Sequence, residues 1–97
     1  MKTVWFDPRA EEEFLLGAQY YEAQEPGLGA RFIAGVRVAV RVVATHPHIH
    51  RETIRGCRKC RVVRFPYALI FRERHDEVQI VAVMHMKRRP DYWNERV

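Results

Sequence analysis

The stretch "HMKRRPDYW", His85 to Trp93, sets an imidazole beside Lys87, Arg88 and Arg89, followed by the adjacent rings of Tyr92 and Trp93. Imidazole moves protons near neutral pH, cations neutralise phosphates, and aromatic rings stack on bases. Together these residue types suit gripping or cutting single-stranded nucleic acid. A second stretch, "CRKCRVVRF" (Cys57–Phe65), holds Arg58, Lys59, Arg61 and Arg64 in one β-prone run. At a period of two, Arg58, Cys60, Val62 and Arg64 share one face, and Lys59, Arg61 and Val63 the other. A row of cations at this spacing can track a phosphate backbone, and it can equally be the wet face of a small domain. The tail has a plain reading too: Pro90 ends a strand, Trp93 folds back as a plug, and the cations stay solvated. For Trp93 the plug is the stronger reading, because a small domain needs the core area. For Arg88, Arg89 and Tyr92 both readings stand.

Two other clusters carry less. In "HPHIH" (His46–His50), His48 and His50 form an HxH pair, but two loop imidazoles without a placed third ligand do not make a metal site. Cys57 and Cys60 form a CxxC within a strand, where residues three apart point to opposite faces, and no second pair exists to complete a tetrahedral site. Two reduced thiols are expected, with no metal and no cofactor.

The elements that must carry these residues follow from patterning. "TVWF" (Thr3–Phe6) is a short β-prone run. Asp7 then reads as an N-cap with Pro8 at the first helical position and Glu11, Glu12 and Glu13 near the positive end of the helix dipole. Phe14, Ala18 and Tyr21 make one apolar stripe, which "EPGLG" (Glu25–Gly29) interrupts. A second helix is expected from about Leu28 to Thr45, burying Leu28, Phe32, Val36, Val40 and Val43, with Pro47 closing it. Three strands follow: Cys57–Phe65, Pro66–Arg74 after a very short turn, and Val78–Met86, with a turn at Arg74–Glu77. The order is β-α-α-β-β-β. It predicts a single α+β domain over residues 1–97, a two-layer fold with a helical hairpin packed on a small antiparallel sheet and the first strand at an edge.

The 97 residues are 47% hydrophobic, enough for one modest core. No apolar stretch approaches a membrane span, and the N-terminus turns acidic without the apolar region of a signal peptide, so a soluble, cytoplasmic protein without a membrane partner is expected. Charge is lopsided: residues 1–25 carry two Lys/Arg against six Asp/Glu, while residues 26–97 carry fifteen against six. Such a basic field favours nucleic acid or an acidic protein partner.

"YYEAQEPGLGARF", "RFPYALIFR" and "VAVMHMKRRPDYW" together resemble the ParE/RelE superfamily of bacterial toxins from type II toxin–antitoxin modules, and within it the ParE-like branch of plasmid stabilisation proteins. The resemblance spans nearly the whole chain and implies the same two-layer fold. It implies a cognate antitoxin whose acidic, partly disordered segment wraps the toxin and covers part of its basic surface. It offers two targets. RelE-like members cut mRNA on the ribosome; the positions matching that pattern are Arg58, Lys59, Arg61, Arg64, His85, Arg88, Arg89 and Tyr92, with Lys59, Arg61, His85, Arg89 and Tyr92 as the catalytic candidates. ParE-like members interfere with DNA gyrase without being known as nucleases; target contacts would then come from Arg58, Arg61, Arg64, Lys87, Arg88, Arg89 and Tyr92. "GLGARF" and "RRPDYW" favour the ParE-like side, a growth-arresting gyrase inhibitor. The alternatives are a ribosome-dependent endoribonuclease and a binding module that has lost toxicity.

Overall fold

A computed structural model describes residues 1–97. The chain runs β1 (Thr3–Phe6), α1 (Pro8–Gln24), α2 (Leu28–Thr45), β2 (Arg51–Glu52), β3 (Arg58–Arg61), β4 (Tyr67–Arg74) and β5 (Glu77–His85), with single 3₁₀ turns at Pro47–Ile49 and Asn94–Arg96. The two helices pack on one face of a five-stranded sheet in the order β1-β5-β4-β3-β2. The expected order holds with two refinements. The pair Arg51–Glu52 adds a short edge strand against β3, and β1 lies parallel to β5, so the sheet is mixed. Two residues of strand carry no readable alternation. The parallel pairing follows from topology: β1 feeds α1 directly and returns to the sheet only through the helical hairpin.

Local signals explain the boundaries. The Asp7 carboxylate accepts the Arg9 backbone N–H at 2.8 Å and is itself held by the Arg9 guanidinium, so α1 starts on a real cap. The turn between the helices rests on Gly27, whose φ of +90° suits glycine, and on Glu22, whose carboxylate accepts the N–H groups of Gly27 and Gly29. Glu22 therefore does for α2 what its own N-cap glycine cannot. A Cβ at Gly29 would stand 2.6 Å from the Ala18 carbonyl oxygen, so this glycine permits the close approach of the two helices. At the other hairpin, His75 and Asp76 both have positive φ, the signature of a two-residue type I′ turn between β4 and β5. β3 stops at Arg61 rather than running to Phe65: Arg64 takes a φ of +73° and residues 62–66 form the connection to β4.

The sheet is covered on both sides. Phe32, Val36 and Val43 of α2 meet Leu69, Phe71, Val78, Ile80 and Val83 on the helix face. Opposite them, Ala68, Ile70, Val81, Ala82 and Met84 are sealed by Trp93, which is fully buried, so the tail's aromatic ring plugs the far face. Cys60 belongs to the first cluster and Cys57 to the second, as strand periodicity requires; burial pushes both thiols up. On α2, Leu28 and Val40 are half-buried while Ala39 and Ala44 are buried in their stead, because the helix sits slightly rotated on the sheet.

Candidate functional site: a basic sheet end beside an apolar groove

β3 ends, β4 begins and β5 ends at the same edge of the sheet, so the turns that follow or precede them lie side by side. The Met86 N–H donates to the Pro66 carbonyl at 2.8 Å and fixes this juxtaposition. It brings together Arg61 and Arg64 from the β3 side and Lys87, Arg88 and Arg89 from the β5 side, all exposed. Among them the sole ion pair is Arg89–Asp91, a long and exposed contact at 3.6 Å. These cations keep their charge available to a partner.

Arg58 does not join them. It sits at the opposite end of β3, where its guanidinium donates to the His50 carbonyl at 2.8 Å and to Glu52 at 3.1 Å. Its work is to tie β2 and the preceding loop to β3. Tyr92 is also committed: its hydroxyl donates to Glu13 at 2.6 Å, and the Arg88 guanidinium lies over its ring at 3.9 Å. Burial, then the hydrogen bond to the Glu13 carboxylate, pushes the phenol far above its ordinary range.

The residues that would be needed for RNA cleavage are dispersed. Lys59 and Arg61 stand opposite Ile70 and Ala68 and so project from the far face. His85 pairs with Tyr67, whose ring meets its own at 5.0 Å, on the helix face at the end of β5. Two strand spacings, roughly 10 Å, and the thickness of the sheet separate these groups. No carboxylate orients His85; its Nδ1 accepts the Lys87 backbone N–H at 3.0 Å.

Glu13 escaped the sequence reading, where it counted only as a dipole-friendly charge on the first turn. β1 covers the edge of β5 only through Ile80, after which the chain turns away into α1. Glu13 takes over the uncovered edge by accepting the Val83 N–H at 3.0 Å, and Arg96 donates to the Val81 carbonyl at 3.1 Å. The two side chains form a two-pronged ion pair, at 2.9 and 3.0 Å, with both largely shielded. Edge, helix and tail thus meet at one carboxylate. Burial alone would lower the Arg96 pKa, yet the hydrogen bonds and charge of Glu13 more than offset it and raise it. A contact across 83 residues of sequence leaves no local signal.

Alongside the basic end runs a groove of about 720 Å³ between α2 and the β3–β4 connection. Val38, Val42 and Val63, exposed by 50%, 38% and 71%, form much of its apolar lining. Arg31, Arg61 and Arg64 also line it. Exposed valines beside arginines are the composition common at protein interfaces.

Comparison with known proteins fits this architecture. The profile of the ParE toxin of the type II toxin–antitoxin system parDE matches residues 4–90, and the chain belongs to that family. No curated protein matches the chain at a significant level. Among solved structures, a chain of the chromosomal ParDE TA system from P. aeruginosa superposes with a TM-score of 0.77 at 16% identity, covering 88% of this chain and 96% of that one. At that identity the likeness speaks for the fold. The chain is therefore a ParE-family toxin, and no helix in it is long and apolar enough to cross a membrane.

Proposed function

We propose that this toxin acts in the cytoplasm by interfering with DNA gyrase, that the exposed cations at the sheet end make the target contact, and that a cognate antitoxin neutralises it. The observation that carries this reading is the split arrangement of the basic residues. Arg61, Arg64, Lys87, Arg88 and Arg89 gather at one end without ion-pair partners of any strength, whereas Lys59 and His85 stand on opposite faces. A binding surface needs the first feature; a general acid–base pair would need Lys59 and His85 within reach of one phosphate. The groove between α2 and the β3–β4 connection suits an amphipathic, acidic antitoxin segment, with apolar residues on Val38, Val42 and Val63 and carboxylates toward Arg31 and Arg64. Arg64 belongs to both surfaces, so an occupied groove would also mask part of the target surface.

The test is a supercoiling reaction with purified toxin, gyrase, relaxed plasmid and ATP. Loss of supercoiling with trapped double-strand breaks is expected, and Lys87→Ala with Arg89→Ala, two exposed side chains that support no other residue, should abolish both while the melting temperature stays nearly constant. Folded wild-type protein that leaves gyrase untouched but cuts mRNA on ribosomes would overturn the proposal in favour of an endoribonuclease.

A further inference from the structure

A second cleft, of about 420 Å³, opens on the other side of the basic end, between α1 and the last residues of β5. Leu16, Gly17 and Tyr20 of α1 form one wall, and Tyr67, His85 and Arg88 form the other. The antitoxin groove does not use it, only Arg88 of its lining belongs to the proposed gyrase contact, and three side-chain donors line it without a protein acceptor. The Lys87 N–H donates to Nδ1 of His85, so in the neutral ring the proton sits on Nε2, which makes no hydrogen bond within the chain. The Tyr67 hydroxyl makes none, although its ring is packed against Tyr21, Phe32 and His85. The Arg88 guanidinium lies 3.9 Å over the Tyr92 ring, and its N–H groups make no hydrogen bond within the chain.

The cleft's one carboxylate, Glu13, would repel an anion if it stood alone. It does not, because Arg96 neutralises it through two hydrogen bonds. Donors therefore dominate one end of the cleft. The other end is planar and apolar: Tyr20 is 59% exposed and stands beside Leu16. The volume falls in the range of small-ligand sites and is too large for a lone carboxylate or phosphate. A planar body against tyrosine with an anionic head on Arg88 and His85 is the outline of a nucleotide, since base–aromatic stacking and guanidinium–phosphate pairing are the two usual holds.

We infer that the cleft between α1 and the end of β5 binds a nucleoside 5′-monophosphate unit, its phosphate on Arg88 and His85 and its base against Tyr20. The unit is either a free nucleotide or the 5′ end of a nucleic-acid strand, which share this chemistry. The inference is independent of the gyrase proposal: a toxin that left gyrase alone would still have this cleft.

The experiment titrates the full chain with adenosine 5′-monophosphate, adenosine, inorganic phosphate and N-acetylglutamate, followed by calorimetry and by amide and side-chain NMR shifts. Saturable binding of the monophosphate is expected, with shifts centred on Tyr20, Tyr67 and His85, and at least about tenfold tighter than adenosine or phosphate alone. Arg88→Gln and Tyr20→Ala should each weaken it about tenfold, with Tyr20→Ala the safer variant because that ring is exposed and Arg88 supports Tyr92. Arg37→Gln, on the exposed side of α2, should change nothing. A 5′-phosphorylated hexanucleotide that competes where its unphosphorylated form does not would assign the strand end; competition by neither would assign the free nucleotide. Absence of saturation, binding indifferent to both variants, or N-acetylglutamate binding as tightly as the nucleotide would each overturn the inference.

Discussion

Replacing Glu13 with alanine removes the one group on which helix, sheet edge and tail converge. The Arg96 guanidinium loses a two-pronged partner, the Tyr92 hydroxyl loses its acceptor, and the Val83 N–H is left on an uncovered edge. Breaking a buried ion pair from one side costs about 3–5 kcal/mol, because a charge is left stranded. Here the side chains of Glu13 and Arg96 retain 16% and 11% of their exposure, so water can partly rescue Arg96. The lower end of that range, about 3 kcal/mol, is therefore expected. A domain of this size has a total stability of about 5–15 kcal/mol, so the variant should remain folded yet melt roughly 12–24 °C lower. Urea denaturation would give the free energy. Fluorescence would locate it: in a Trp5→Phe background, Trp93 is the remaining indole and is fully buried, so loosening of the tail should red-shift its emission before the helices unfold. A double-mutant cycle with Arg96→Met separates the pair from general damage, and a coupling of about 1–3 kcal/mol is expected. A loss below about 1 kcal/mol, or strictly additive losses in the cycle, would refute the role assigned to Glu13.

The remaining expectations follow from neighbouring contacts. Trp93→Ala should cost about 3–5 kcal/mol in urea melts, and Trp93→Phe markedly less, since the buried indole N–H has no acceptor to lose. Gly17→Ala should destabilise by about 1–2 kcal/mol despite the better helix propensity of alanine, because the added Cβ would stand 2.8 Å from the fully buried Phe32 ring. Because the Tyr92 pKa is raised in the folded protein, its contribution is complete below the unfolded value near 10 and is lost as pH rises beyond it; Tyr92→Phe should flatten that part of the alkaline stability profile. Asp7 is the opposite case: the Arg9 guanidinium holds its carboxyl below the ordinary carboxylate value, so its contribution is present above the unfolded pKa of 3.8 and is lost as pH falls through the lower folded value. Asp7→Asn should keep the helix cap and reduce the acid sensitivity of the melting temperature below about pH 4.

What the sequence discloses and what it hides divide along physical lines. Both helices, with Asp7 as cap and Gly27 at the reversal, could be read because capping and 3.6-residue periodicity are local effects. The opposite-facing cysteines could be read for the same reason. The start of the Tyr67–Arg74 strand was legible from Pro66, whereas the end of β3 was not: the positive φ at Arg64 is imposed by the connection that must carry the chain back into β4, and arginine gives no hint of it. Tertiary pairings were hidden in proportion to their separation in sequence. Arg58 and Arg61 look alike in "CRKCR", yet one is consumed by His50 and Glu52 while the other stands free beside the groove. Lys59 and His85 look like partners in a nuclease list, yet the pleat and the strand order send them to opposite faces. Cation-rich sequence thus overstates the size of a functional surface, because some cations are spent holding the fold. Arg96 makes the point from the other side. In sequence it reads as one more basic residue, and three-dimensional structure turns it into the counter-ion that neutralises Glu13 beside a donor-lined cleft.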